Sequence, residues 1–292
     1  MALTHPGDHT ASTASRSSRG ARPAPAPLPL AERDSAHLPG HWLLARLGKR
    51  VLRPGGVELT SAMLDNLAAA DGGLAGADVV ELAPGLGHTA ARLLDRAPGS
   101  YTGVEYDESA AAIVRERIGT RGRCVVGEAA GTGLPDHSAD VVLGEAMLTM
   151  QTDRHKAEII AEASRVLRPG GRYAVHELAL RPDDLDDRLK NEVQRSLARS
   201  IKVNARPLTI AEWRRLLTDG GFEVTSVATA PMALLEARRL LADEGVARTA
   251  RITANLLRDR QALRRVLDMR STFVKYRREM TAVSLVATKV AG

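Results

Sequence analysis

Four acidic residues, each at or just beyond the end of a short apolar run, give this chain its first chemical signal. Glu81 follows Val79 and Val80, and a turn containing Pro84, Gly85 and Gly87 comes directly after it. Glycines at such a turn let the backbone approach a ligand and permit positive φ. A carboxylate there would repel a pyrophosphate but suits a ligand carrying an ammonium and a sulfonium. Glu105 lies 18 residues after Gly87, near the end of a second run, 101–106. That is close to the spacing of about 20 expected for a carboxylate that accepts from ribose hydroxyls. The plain alternative is an exposed strand-end acid, and Asp107 takes the role if the register slips by two. Glu128 stands between Gly127 and Ala129 at the end of a third run, and Glu145 follows a fourth, 140–143. Met147 and Met150 beyond it either line an adaptable pocket or fill core. His176 and Glu177 close a fifth run; a histidine there is either a general base near neutral pH or a hydrogen-bonded structural residue.

These residues must be carried by alternating strands and helices. Apolar runs at 78–82, 101–106, 123–128, 140–143 and 173–178 read as buried parallel strands. Segments 89–94, 108–118 and 155–167 have helical spacing between them, so the expected fold is a doubly wound α/β sheet. A helix at 210–218 and strands at 222–227 and 280–288 complete the pattern. The glycine turn is a weak signal by itself, since Gly85-Leu86-Gly87-His88-Thr89-Ala90 also fits a dinucleotide pattern.

Glu81-Leu82-Ala83-Pro84-Gly85-Leu86-Gly87 resembles the first motif of the class I methyltransferases that use S-adenosylmethionine. The passage Leu167-Arg168-Pro169-Gly170-Gly171, leading from a helix into a strand, is a second point of resemblance. The chain looks most like the ubiquinone/menaquinone-type branch, whose members methylate small molecules. The resemblance implies a Rossmann-like sheet of seven strands, the last inserted antiparallel between the fifth and sixth. It implies S-adenosylmethionine as cofactor, bound by Glu81, Ala83, Gly85, Gly87, Glu105, Tyr106, Gly127, Glu128, Ala129 and Glu145. His176 and Glu145 are the candidates for catalytic roles. The family more often has Asp where Glu105 and Glu128 stand. The implied reaction is in-line displacement of a methyl onto an O, N, S or C nucleophile of a small acceptor.

Composition bounds the remainder. The chain has 292 residues, 44% of them hydrophobic, enough for one large domain expected at 39–292. Residues 1–38 are Pro, Ala, Ser and Arg in loose mixture and read as a disordered tail without the apolar core of a signal peptide. Helical cap elements are expected at about 41–70, 181–206 and 232–278, the last carrying a solvated arginine face. Trp42 and Met63 in the first of these either cover the site or pack on the sheet. The single Cys124 excludes an internal disulfide framework and a multi-cysteine metal site, and fits a reducing, cytoplasmic setting. No metal is expected. Net charge is +6, read as an arginine-rich surface, and aromatics are only 3%, against single-stranded nucleic acid as partner. No run of about 18 apolar residues suggests a membrane span. A homodimer is compatible with the reading. The rivals are a nicotinamide-dependent Rossmann oxidoreductase, which leaves Glu81 unexplained, and a non-catalytic partner protein that binds S-adenosylmethionine.

Overall fold

In the computed structural model, which describes residues 26–70 and 72–290, all strands join one mixed sheet. In chain order they are β1 (Asp78–Leu82), β2 (Ser100–Glu105), β3 (Arg123–Val126), β4 (Ala139–Glu145), β5 (Leu167–Leu180), β6 (Leu208–Thr209), β7 (Phe222–Pro231) and β8 (Met280–Lys289). The spatial order is β3-β2-β1-β4-β5-β8-β7, with β8 antiparallel to both of its neighbours. This is the expected seven-stranded sheet. The two-residue β6, which carries no sequence signal, pairs with the far end of β5.

The helices are α1 (Gly40–Arg46), α2 (Gly56–Ala69), α3 (His88–Leu94), α4 (Glu108–Ile118), α5 (Asp153–Val166), α6 (Asp187–Ile201), α7 (Ile210–Asp219), α8 (Ala237–Glu244), α9 (Val246–Arg258) and α10 (Arg260–Lys275). The central strands β1, β4, β5 and β8 are buried on both faces, as a doubly wound sheet requires, while the edge strand β7 is exposed at alternate positions. Val79 packs with Met63, Leu67, Leu93 and Val114 from α2, α3 and α4, while Val80 packs with Ile159, Ile160 and Trp213 from α5 and α7. Met63 is thus a core residue. A third apolar cluster joins Leu43, Leu44, Val193, Leu197, Met269 and Phe273 from α1, α6 and α10 to the sheet edge at Leu178 and Leu180 of β5 and Met280 of β8. This is the cap.

Three expectations need correction. The passage at 167–171 is not a turn ahead of the fifth strand. Leu167 already pairs with Ala139, and a register shift before Val141 absorbs Pro169 and Gly170 within a 14-residue strand. The segment at 232–278 is three helices, broken where Gly245 turns at φ 75° and where Asp259 caps the amides of Gln261 and Ala262. Its arginine face is not wholly solvated: Arg265 is buried and donates to the carbonyls of Ser35, Ala36, Leu38 and Ser200. That same residue fastens down the end of the presumed tail, where Leu38 is fully buried and Ser35 Oγ donates to Asp259 at 2.6 Å. Residues 1–25 of that tail lie outside the described residues.

Candidate active site

The carboxyl edge of β1 and β2 brings Glu81 and Glu105 to one place. Leaving β1, the chain adopts positive φ at Ala83 (51°), Gly85 (57°) and Gly87 (68°), and Gly87 caps α3. At Gly87 the φ of 68° strains any other residue, and a side chain would also crowd Arg117 Cδ at 3.2 Å, so glycine suits the turn's approach to α4. Glu105 turns inward and accepts from the Gly85 amide at 2.9 Å and from the Tyr106 amide at 2.9 Å. Burial raises its carboxyl above the usual range against the pull of these amides. Glu81 is buried and accepts from the Tyr101 hydroxyl at 2.7 Å. Burial pushes its carboxyl up to about 8, only partly offset by the Tyr101 hydrogen bond.

Glu145, at the end of β4, has both oxygens engaged. Oε1 accepts from Thr60 Oγ1 at 2.6 Å and from His176 Nδ1 at 2.8 Å. Oε2 accepts from Thr89 Oγ1 and lies 3.3 Å from Arg53 Nε. Burial opposes its ionisation, but Arg53, His176 and Thr60 outweigh that and hold the carboxyl at about 2. Glu145 is therefore a fixed anion linking α2, α3, β4 and β5, and its carboxylate is not free to exchange protons with a ligand. His176 is likewise sequestered. Its Nε2 donates to the Pro54 carbonyl at 2.6 Å, its Nδ1 faces Glu145, and the ring is fully buried. Both ring nitrogens are thus engaged by groups inside the fold, and His176 does not border the cavity described next. Of the two readings of this histidine, a hydrogen-bonded structural residue is the one its contacts match.

A cavity of about 410 Å³ opens from this edge toward the cap. Of the sequence-expected residues, Glu81, Ala83, Gly85, Glu105, Tyr106 and Glu145 line it. Gly87, Gly127, Glu128 and Ala129 do not; Gly127 continues the ladder by donating to the Glu105 carbonyl at 3.0 Å, and the exposed Glu128 bridges to Gly131. Met147 and Met150 also line the cavity, in a loop whose amides at 147, 148 and 149 all donate to the buried Glu177. The cap half is apolar, with Trp42, Leu197, Ile201, Met232, Met269 and Phe273.

Two lining residues carried no sequence signal. Arg53 donates through Nε to Thr60 at 2.6 Å, but its Nη2 is buried and has no hydrogen-bond partner. His41 lies against Trp42, ring centroids 4.8 Å apart, and burial pushes its imidazole down to about 4, so it is neutral at pH 7. Both sit in helix or turn segments whose composition looks ordinary. Cys124 is buried away from the cavity, and burial raises its thiol to about 11. Among the described residues no group of three or more His, Cys, Asp or Glu could hold a metal ion, and no helix is long and apolar enough to cross a membrane.

The site sets a buried cationic donor without a hydrogen-bond partner, Arg53 Nη2, and the acids Glu81 and Glu105 around a glycine turn. These fit the carboxylate, ammonium and ribose of S-adenosylmethionine. A sequence family described as "Methyltransferase domain" matches residues 80–175. An uncharacterised Haemophilus influenzae protein is 36% identical over 189 residues, covering 63% of this chain and 71% of that protein. The ubiquinone/menaquinone biosynthesis C-methyltransferase of Paracoccus denitrificans is 35% identical over 169 residues, 52% of this chain and 64% of that enzyme. Among solved structures, the [4+2]-cyclase SpnF has a TM-score of 0.65 at 17% identity, covering 92% of this chain and 98% of that one.

Proposed function

This chain belongs to the class I S-adenosylmethionine-dependent methyltransferase family, and from that premise we propose that it methylates a small, largely apolar acceptor held beneath its helical cap. The observation that carries the reading is the continuity of one cavity, from the Glu81, Glu105 and Arg53 cluster to the apolar cap. When bound, S-adenosylmethionine supplies a methyl group on a positively charged sulfur, open to in-line displacement. Glu81 would hold the ammonium, Arg53 Nη2 the carboxylate, Glu105 the ribose and Tyr106 the adenine face. The Glu145–His176–Thr60 ring keeps Arg53 aimed into the cavity. The cap excludes water and orients the acceptor, and alignment of this kind is worth roughly 7–11 kcal/mol of barrier. His41 and His88 both line the cavity as neutral imidazoles, and burial pushes them down to about 4 and about 3, which makes each a weak base at pH 7 and favours an acceptor that needs no proton removed by the protein.

The finer placement in the ubiquinone/menaquinone branch draws support from the Paracoccus relative and directs the acceptor search to phenols and quinols first. A second reading is favoured by the likeness to SpnF: a cyclase has this fold, so binding of the cofactor need not mean methyl transfer. The test is calorimetric titration of S-adenosylmethionine, S-adenosylhomocysteine and NADH into wild type and Glu105→Ala. We expect both adenosyl ligands to bind, NADH not to bind, and the substitution to weaken binding about tenfold or more. A folded protein that ignores both adenosyl ligands would overturn the reading. Binding without turnover of any phenol, quinol or thiol would favour the second one.

A further inference from the structure

Beside the main cavity, and sharing Arg50 with it, lies a second hollow of about 360 Å³. Its walls are Arg50, Arg248 and Arg251, with Val246 and Ala247 of the first turn of α9. The α9 helix has 13 residues and starts from Gly245 without a side-chain cap, so the amides of that turn have no side-chain acceptor among the described residues. Glu244, the one acid in the hollow, offsets only part of its charge. Its side chain is 1% exposed and is turned toward the chain beneath, where Oε1 accepts from the amides of Arg50 and Val51 at 2.7 and 2.9 Å and faces Lys49 at 3.7 Å. Its other oxygen lies 3.8 Å from Arg248 Nε, beyond hydrogen-bonding distance. Arg50 and Arg251 have no carboxylate partner among the described residues.

The positive field extends to the cofactor edge. His88, which lines the main cavity, accepts from Arg117 at 2.6 Å. Burial pushes its imidazole down to about 3, followed by the charges of Arg117, Arg53, Arg50 and Arg248. Guanidinium groups gathered this closely repel one another unless an anion lies among them. A single carboxylate brings one charge to three arginines. A phosphate ester or diphosphate brings more charge, and its oxygens match the arginine fork.

We propose that the hollow formed by Arg50, Arg248 and Arg251 is an anion site that holds a phosphate or diphosphate group of the acceptor, whose apolar body lies beneath the cap. That the ligand is the acceptor rests on the methyltransferase reading; the existence of the site does not. The acceptor is then an amphiphile, and Arg50 marks where its head meets its body.

The experiment titrates inorganic pyrophosphate, at physiological salt, into wild type, Arg248→Gln/Arg251→Gln and Val246→Glu. The exposed pair Arg264→Gln/Arg270→Gln on α10 is the control for charge alone. S-adenosylhomocysteine is titrated into every protein, and binding to phosphatidylglycerol vesicles is measured by co-sedimentation. We expect wild type to bind pyrophosphate, the first two variants to lose about tenfold or more of that affinity, the control to keep it, and all four to bind S-adenosylhomocysteine alike. Absence of pyrophosphate binding, or an equal loss in the α10 control, overturns the site and leaves the methyltransferase reading intact. Binding to vesicles but not to pyrophosphate makes the surface a lipid-facing one and overturns the proposal. Pyrophosphate binding in a folded protein that takes no S-adenosylhomocysteine keeps the site but removes its assignment to a methyl acceptor.

Discussion

On the sheet side of the cavity, Glu81 and Glu105 take hydrogen bonds from residues 20 positions away in the chain. On the cap side, Asp243 and Glu244 take theirs from Arg50, Val51 and Val57, between 186 and 194 positions away. The first kind of contact is delivered by adjacent strands in register, since Asp78 to Leu82 of β1 face Ser100 to Val104 of β2. The second requires remote segments to dock. At the docking point a side chain at Gly56 would meet Asp243 Oδ1 at 2.5 Å, so glycine is what admits α8. The charges buried there are imperfectly satisfied. Lys49 Nζ lies 3.9 Å from Asp243 and 3.7 Å from Glu244, and it has no hydrogen-bond partner. Buried ions paired at such distances add little stability. The cap is thus the half that yields first, and the sheet edge is the half that stays preformed.

Removing the carboxylate that ties α2 and the segment ahead of it to the sheet edge is the most severe way to test this division. Glu145 is held by Thr60 on α2, Thr89 on α3, His176 on β5 and Arg53 ahead of α2. Glu145→Ala leaves Arg53 buried and uncompensated, a change that typically costs about 3–5 kcal/mol. Urea denaturation should show that loss, and limited proteolysis should cut first near α8 and α9. A loss below about 1 kcal/mol would mean that the ring is incidental and that α2 is tied to the sheet edge by other contacts.

The same division separates what was legible in the sequence from what was not. Parallel strands covered on both faces read as apolar runs, so Val79 with Val80 and Val141 with Val142 announced β1 and β4. Glu105 was legible because its distance from the glycine turn follows from one strand-helix-strand unit. His176 was placed correctly on its strand, but the sequence left its task open between general base and hydrogen-bonded structural residue. Its surroundings are set by the Pro54 carbonyl, 122 positions away, and Thr60, 116 positions away, and nothing near 176 encodes either. Arg265 looks like any other member of an arginine-rich helix, and only the docking of residues 35–38 buries it. Arg53 and His41 stood in stretches with no motif, because a lone side chain aimed into a cavity leaves no periodic trace.

A sharper test of the sheet side uses proton linkage at Glu81. Without ligand its carboxyl titrates at about 8, whereas the unfolded chain titrates at its ordinary 4.5. The folded state binds the proton more tightly, so the associated stability is fully present below pH 4.5 and is lost as pH rises toward 8. An ammonium group on the ligand favours the carboxylate, so binding S-adenosylhomocysteine releases a proton. Its affinity should rise by roughly tenfold per pH unit between about pH 6 and 8 and then level off. Calorimetry in buffers of different ionisation enthalpy counts the proton directly. Glu81→Gln should abolish both the release and the slope. A slope that survives this substitution would transfer the linkage to another group at the edge.

The smallest effect belongs to Tyr106, and it tests whether the preformed edge ends at Glu105. The phenol lines the cavity yet is 73% exposed, while the backbone amide beneath it donates to Glu105 at 2.9 Å. Its ring is therefore a lip, available to an adenine face but held by no packing of its own. Stacking of a base on an aromatic ring is worth about 1–3 kcal/mol by truncation, and solvent exposure places this case near the lower end. Tyr106→Ala should weaken S-adenosylhomocysteine about fivefold and leave the denaturation midpoint unchanged, and Tyr106→Phe should bind like wild type. A loss of stability on truncation would place the ring in the wall, and the boundary of the rigid half would move outward to include it. Equal affinity in all three proteins would put the adenine elsewhere, with the Gly127–Ala129 segment next in line, because its amide ladder continues directly from Glu105.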